Sequence, residues 1–249
     1  MSVPIYEPLN TLKRVADNIW IVDGEVIHMN VLSVGIPFST RMTIIKLADQ
    51  SLWCHSPIQP SAELFKEIDK IGKVCHLVSP NKIHYAFIRE WKTHYPEAVT
   101  WSSPGVEKRA ASQKIEVKFD RNLEDSPPVE WHKEINQLIF KGSHVVQEVV
   151  FYHKSSQTLI LTDLIENFEP EYTTSSFWRC VHKLARISDP NGQTPIDMRL
   201  TFLGQKQQAR DSFQRMLSWR PEKIILAHGR WYERNGTSEL KRAFKWLDI

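Results

Sequence analysis

At 249 residues the chain has room for one large α/β domain or two small ones, with an ample core. Hydrophobic residues make up 41% and charged residues 24%, as in ordinary globular proteins, and a net charge of +3 is too small to point to nucleic acid. Cys54, Cys75 and Cys180 lie far apart with no CxxC spacing, which argues against a disulfide frame and a cysteine metal cage and for a reducing, cytoplasmic setting.

The chain opens with strand patterns. Residues 18–35 read as two strands around an Asp23-Gly24 turn, and 41–48 with 51–58 as a hairpin turned at Asp49-Gln50. Leu64, Phe65, Ile68 and Ile71 fall at helical spacing, with Ser61 as N-cap and Gly72 as stop. A short buried strand is predicted over 73–80, a helix over 84–96 closed by Pro96, a strand and turn over 98–105, and a short exposed helix after Gly105. Residues 113–130, with Pro127-Pro128, read as an irregular connection. EINQLIF (134–140) leads into the most informative stretch, VVQEVVFY and TLILTD around a KSSQ turn. The second of these strands is apolar on both faces, as a strand inside a sandwich is, and it ends on Asp163. Helices over 175–188, 205–219 and 238–249 flank a last buried strand, KIILAHG, which ends on His228-Gly229. Carboxylates and imidazoles at the tips of buried strands are held by rigid backbone at the rim of a core, where function tends to sit. No repeat of solenoid length is present, and the element order suggests two face-to-face sheets between helical layers.

A hairpin ending on LTDLI, followed some sixty residues later by a strand ending on AHG, resembles the metallo-β-lactamase fold. With SPNKIHY, EVVFYHKSSQTLILTDLIENFEP and ILAHGR, the chain is more narrowly similar to an uncharacterised domain family of that superfamily. The resemblance implies one four-layer αββα domain over 1–249. It also implies where a metal site would fall. Active members carry a Thr-His-x-His-x-Asp-His run after a strand, then a third His, a bridging Asp and a last His. Here Pro80 and Lys82 take the places of the run's first two His, His84 that of its Asp, and Tyr85 that of its last His. His144 falls at the third-His position, without the flanking motif. Asp163 matches the bridging Asp and His228 the last His. His55-Ser56-Pro57 replaces a usual Asp-x-Gly.

Pro cannot ligate, and a protonated Lys is a poor ligand. The resemblance therefore implies a degenerate metal motif. His84, His144, Asp163 and His228 are the metal candidates, for one ion (zinc, iron or manganese) or none, but not two. Two readings compete. In the first, Lys82 reaches the place of a metal and pairs with Asp163 and Glu148. Asn81, His84 and His228 then complete a metal-poor polar pocket for a small anionic or carbonyl-bearing ligand, with Arg230 beside it. In the second, His84, Asp163 and His228 serve a mononuclear hydrolase. A non-catalytic scaffold or a nucleic-acid-binding relative is the third reading. The basic residues Lys206, Arg210, Arg215 and Arg220 lie mostly on one amphipathic helix and read as a solvated face. His76, His94, His153 and His182 read as surface or core residues, and Glu166 and Asn167 as capping or turn residues beside the pocket mouth. No GxSxG elbow or phosphate loop is present, no stretch approaches eighteen apolar residues, and the N-terminus lacks a signal-peptide core. The expected partner is a small molecule, with no membrane, and nucleic acid is disfavoured.

Overall fold

The computed structural model describes residues 5–31, 34–173 and 175–248. Its first sheet contains β1 (Lys13–Ala16), β2 (Ile19–Val31), β3 (Val34–Lys46), β4 (Ser51–His55), β5 (Lys73–Ser79), β6 (Val99–Ser102) and β7 (Arg121–Asn122), neighbours in that order. The second contains β8 (Ile135–Phe140), β9 (Glu148–His153), β10 (Thr158–Ile160) and β11 (Lys223–Ile225). Helices α1 (Ala62–Ile71), α2 (Ile88–His94) and α3 (Val106–Ser112) alternate with strands of the first half. In the second half come α4 (Ser176–Leu184), α5 (Ile196–Leu200), α6 (Lys206–Ser218) and α7 (Gly236–Ala243).

The side-chain alternation of the strands builds three stacked cores. Between the sheets lie Ile19, Ile45, Trp53, Val78 and Trp101 from the first, against Ile135, Val149, Phe151, Ile160 and Ile225 from the second. The residues next to these in sequence point the other way. Ile44, Leu52, Cys54 and Leu77 meet Leu64, Ile68, Trp91 and Ala110 of α1 to α3. On the far side Leu138, Val150, Leu159 and Ile224 meet Phe213 and Met216 of α6 and Leu240 of α7. The result is the four-layer αββα arrangement, and β10 is covered on both faces as its apolar run requires.

Asp23-Gly24 is not a turn. β2 runs straight through it, with Asp23 opposite Arg41 and Gly24 opposite Thr40. Two physical reasons keep the pair extended. The buried Asp23 carboxylate accepts from Arg41 Nε at 2.7 Å and Lys13 Nζ at 2.8 Å, so its charge is compensated inside the fold. Gly24 is needed for close approach, since a Cβ there would stand 2.5 Å from Thr40 Oγ1 and 2.9 Å from Ile58 Cδ1. Pairing of β2 with β3 continues to Val31 opposite Val34; residues 32–33 lie outside the described residues. The hairpin turned at Asp49-Gln50 and the Ser61 cap of α1, which accepts from Leu64 N at 3.1 Å, are as expected. The second helix is shorter than 84–96, because residues 84–87 form a turn before α2 begins at Ile88.

Candidate functional site

The ends of four strands meet at one edge of the sandwich. β10 and β11 are parallel, with Ile160 opposite Ile225. Asp163 and His228 each lie three residues beyond that pair, so equal steps along parallel chains bring the two side chains together. His228 Nε2 stands 3.2 Å from Asp163 Oδ1. From the other sheet, β5 ends at Ser79, and the following turn delivers His84, whose Nε2 also stands 3.2 Å from Asp163 Oδ1.

Asn81 shapes that turn. Its side chain is fully buried, and its Oδ1 accepts from the backbone N–H of Ile83 at 2.8 Å and of His84 at 3.2 Å. Its Nδ2 donates to Asp163 Oδ2 at 2.6 Å and to Thr162 Oγ1 at 2.9 Å. One amide therefore places His84 and fixes the Asp163 oxygen that the histidines do not use. Glu148, at the start of β9, holds Asp163 from behind. Its Oε1 accepts from Thr162 N at 2.7 Å, and its Oε2 from Asp163 N at 2.8 Å and Leu164 N at 3.2 Å.

The outer ring nitrogens are anchored as well. His228 Nδ1 donates to the Ser39 carbonyl at 2.7 Å. A carbonyl only accepts, so in the neutral ring the Nε2 lone pair faces Asp163. His84 Nδ1 lies 2.7 Å from Ser56 Oγ, just past the end of β4. The backbone after β11 is held by Arg41, whose Nη1 donates to the carbonyls of Leu226 and Gly229, both at 2.8 Å. Gly229 has φ +81°, and a Cβ there would stand 2.2 Å from Asn167 O, so only glycine fits. Asn167 is a buried hub rather than a simple turn residue, donating to Asp189 Oδ1 and Arg230 O and accepting from Gly192 N.

Two imidazole nitrogens facing one carboxylate oxygen are satisfied by a positive centre between them, either a proton on a ring nitrogen or a metal ion. Burial favours uncharged forms here, yet at Asp163 and His84 the charges interact strongly enough to reverse it. Burial would raise the Asp163 pKa, but His84 and His228 hold it well below the usual carboxylate range. Burial likewise lowers His84, and the Asp163 carboxylate more than offsets this, so its pKa lies above the ordinary value. Glu148 is pushed up by burial and by Asp163, against the three N–H bonds that favour its ionised form. Glu166, also buried nearby, is pushed up to about 8, chiefly by desolvation.

The donor set is one that could hold one metal ion. Ligand atoms of His84, Asp163 and His228 all lie within 4.8 Å of one another. Tetrahedral ligands at about 2.1 Å from zinc stand about 3.4 Å apart, close to the two N–O separations seen. Anchored second nitrogens are what ligating histidines need. A second ion has no comparable set among the described residues.

The remaining candidates lie elsewhere. His144 is exposed, and its Nε2 hydrogen-bonds Leu203 O at 3.1 Å. Lys82 does not pair with Asp163 or Glu148. Asp163 instead faces Asn81 and the two histidines, Glu148 accepts from backbone N–H groups, and Lys82 lines a separate hollow with Lys108 and Arg109. Arg230 extends toward Asp189, 3.9 Å away, with its side chain 60% exposed. His94 stacks on Phe65, His76 accepts from Trp101 Nε1, and His153 pairs with Ser156, so these rings serve packing. A cavity of about 250 Å³ opens beside His84 and His228, walled by Ile58, Phe87 and Ile115 and edged by Arg109.

Paired sheets between helical layers, with a polar site where the strand ends converge, define a metallo-β-lactamase fold. A metallo-β-lactamase from Hirschia baltica superposes with a TM-score of 0.62 at 13% identity, covering 95% of this chain and 96% of its own. The metallo-β-lactamase FIM-1 from Pseudomonas aeruginosa, in its mono-zinc form, gives 0.63 at 13% identity over 99% of each chain. Rubredoxin oxygen:oxidoreductase from Desulfovibrio gigas gives 0.63 at 12% identity over 96% of this chain and 62% of its own. At these identities the likeness is one of fold. The chain belongs to the family described as Domain of unknown function (DUF4336), whose profile matches residues 16–175. That span contains His84 and Asp163, and His228 lies beyond it. No curated protein sequence matches the chain. No helix among the described residues is long and apolar enough to cross a membrane.

Proposed function

We propose that this chain is a single-domain, mononuclear metal-dependent hydrolase acting on a small molecule, with His84 Nε2, Asp163 Oδ1 and His228 Nε2 as the protein ligands. The observation that carries this reading is the pair of 3.2 Å separations from one Asp163 oxygen to two imidazole nitrogens whose outer nitrogens are anchored. When bound, the ion would supply Lewis acidity toward a carbonyl or phosphoryl oxygen and toward water. The chain's own residues do the rest. Ser39 O holds the proton of His228 on Nδ1, Ser56 orients His84, and Asn81 keeps Asp163 Oδ2 engaged so that Oδ1 faces the histidines. Ile58, Phe87 and Ile115 give the approach to the site an apolar wall.

Elemental analysis of protein purified without chelator and then offered zinc, iron or manganese tests the reading. About one equivalent is expected for the wild type, and less than about a tenth of an equivalent would reject it. Ser56→Ala should leave the fold intact and weaken the ion's binding about 10- to 100-fold, because His84 loses its orienting partner. Competition against a calibrated chelator measures this, and unchanged affinity would remove Ser56 from the site.

A metal-free pocket for an anionic or carbonyl-bearing ligand is the second reading. The raised pKa of His84 favours it, since a protonated ring can itself occupy the place of a cation beside Asp163. The same elemental analysis separates the two.

A further inference from the structure

Positive charge on α6 itself is neutralised. Lys206 and Arg210 reach the Asp248 carboxylate at 3.0 and 3.7 Å, and Arg215 reaches Asp125 at 2.8 Å. A second concentration of positive charge is not. Lys82, Lys108 and Arg109 line one hollow of about 490 Å³ between the turn after β5, the helix α3 and the 143–147 segment. Among the described residues none of the three has an ion-pair partner, unlike Lys92, which pairs with Asp120, and Arg121, which pairs with Glu130. No carboxylate lines the hollow. Glu107, next to Lys108 in sequence, instead accepts from Phe119 N.

Three like charges on one concave surface repel one another, and a concave wall strengthens their common field. We infer that the hollow is a binding site for a group carrying two or more negative charges, a phosphate or pyrophosphate borne by a small molecule. A monocarboxylate would compensate only one of the three cations. A nucleic-acid strand would call for a continuing basic track, and Lys206, Arg210 and Arg215 of the other basic stripe are already paired. Arg109 also edges the 250 Å³ cavity beside His84 and His228. The anionic group would therefore anchor a ligand whose remainder lies across Arg109 at the histidines. That extension rests on the hydrolase reading; the affinity of the hollow for an anion does not.

Calorimetric titration of the full chain, metal-free, with inorganic pyrophosphate tests the inference at about 50 and about 150 mM salt. Saturable one-to-one binding is expected, weakened at least about tenfold in Lys82→Met and in Arg109→Met. Lys108→Met, at an exposed position, provides a third variant should either of these fail to fold. Lys206→Met removes an equal but remote charge and should change affinity less than about twofold. Acetate should show no saturable binding under the same conditions. Absence of saturable pyrophosphate binding, or equal weakening by Lys206→Met, would overturn the site. So would a single-stranded oligonucleotide that displaces pyrophosphate with a steep salt dependence. A His84→Ala/His228→Ala double variant should abolish metal uptake and retain pyrophosphate binding, so failure of either reading is visible without the other.

Discussion

Replacing Glu148 with Gln is expected to lower the stability of the metal-free protein by about 3 kcal/mol or more, as an apparently conservative change at a buried carboxylate. The carboxylate accepts three backbone N–H groups in succession, from Thr162, Asp163 and Leu164, using both oxygens. An amide offers one oxygen and one NH2 group. Whichever way it is turned, two hydrogens of the NH2 group face at least one backbone N–H, and that donor is left buried without an acceptor. The turn that carries Asp163 then loses its anchor, so metal uptake should fall along with stability. Urea denaturation of the chelated variant reads the first effect and elemental analysis the second. A variant with the wild-type urea midpoint would show that Glu148 does not hold the turn.

The strand tips are the legible part of this site. Asp163 and His228 each end an apolar run, and a run of that kind fixes both the burial of the strand and the rigid position of its last polar residue. Their approach to 3.2 Å follows from parallel pairing of β10 with β11, which the βα order of the second half implies but no local pattern states. Ser56 carries a weaker signal, a replacement within His55-Ser56-Pro57 whose meaning depends on a long-range contact with His84. Other features are invisible to local reading because they are settled by tertiary contacts. Asp23-Gly24 has the composition of a turn, yet the Arg41 and Lys13 charges and the tight approach of Thr40 and Ile58 keep it in a strand. Arg41 itself is an ordinary strand residue in sequence. Its two bonds to the backbone at 226 and 229 are visible only once residues 185 and 188 positions apart are brought together.

Lys82 shows the same limit at the level of charge. Its position beside Asn81 and His84 places it in the junction, but a side chain can leave a turn on either side. Asp163 is already surrounded by Asn81, His84 and His228, and Glu148 by backbone N–H groups, so no unshared acceptor draws the ammonium inward. It joins Lys108 and Arg109 instead. One junction thus separates two chemistries, a carboxylate ringed by imidazoles on one side and unpaired cations on the other, with Arg109 between the cavities that open from them.

Glu166 should make the stability of the protein fall as pH rises from about 5 to about 8. Desolvation is the leading cause of its raised pKa, from the ordinary 4.5 to about 8, and the Asp163 carboxylate adds to it against an opposing effect of His228. A carboxyl whose folded pKa exceeds its unfolded value binds more protons in the folded state throughout the interval between the two. Below that interval both states are protonated and nothing is lost; within it, each rise in pH favours the unfolded chain; above about 8 the penalty is complete. With one pKa unit equal to about 1.4 kcal/mol, the full penalty is of the order of 5 kcal/mol. Glu166→Gln keeps the shape and removes the titration. Compared in chelator, the variant should match the wild type near pH 5 and exceed it by several kcal/mol near pH 8. The difference between the two proteins isolates Glu166 from His84, whose own raised pKa gives a stabilising contribution that is present below its ordinary value and lost above its folded one. Parallel urea midpoints for wild type and variant across this range would mean that Glu166 ionises freely and that the pocket beside His228 is better solvated than its burial implies.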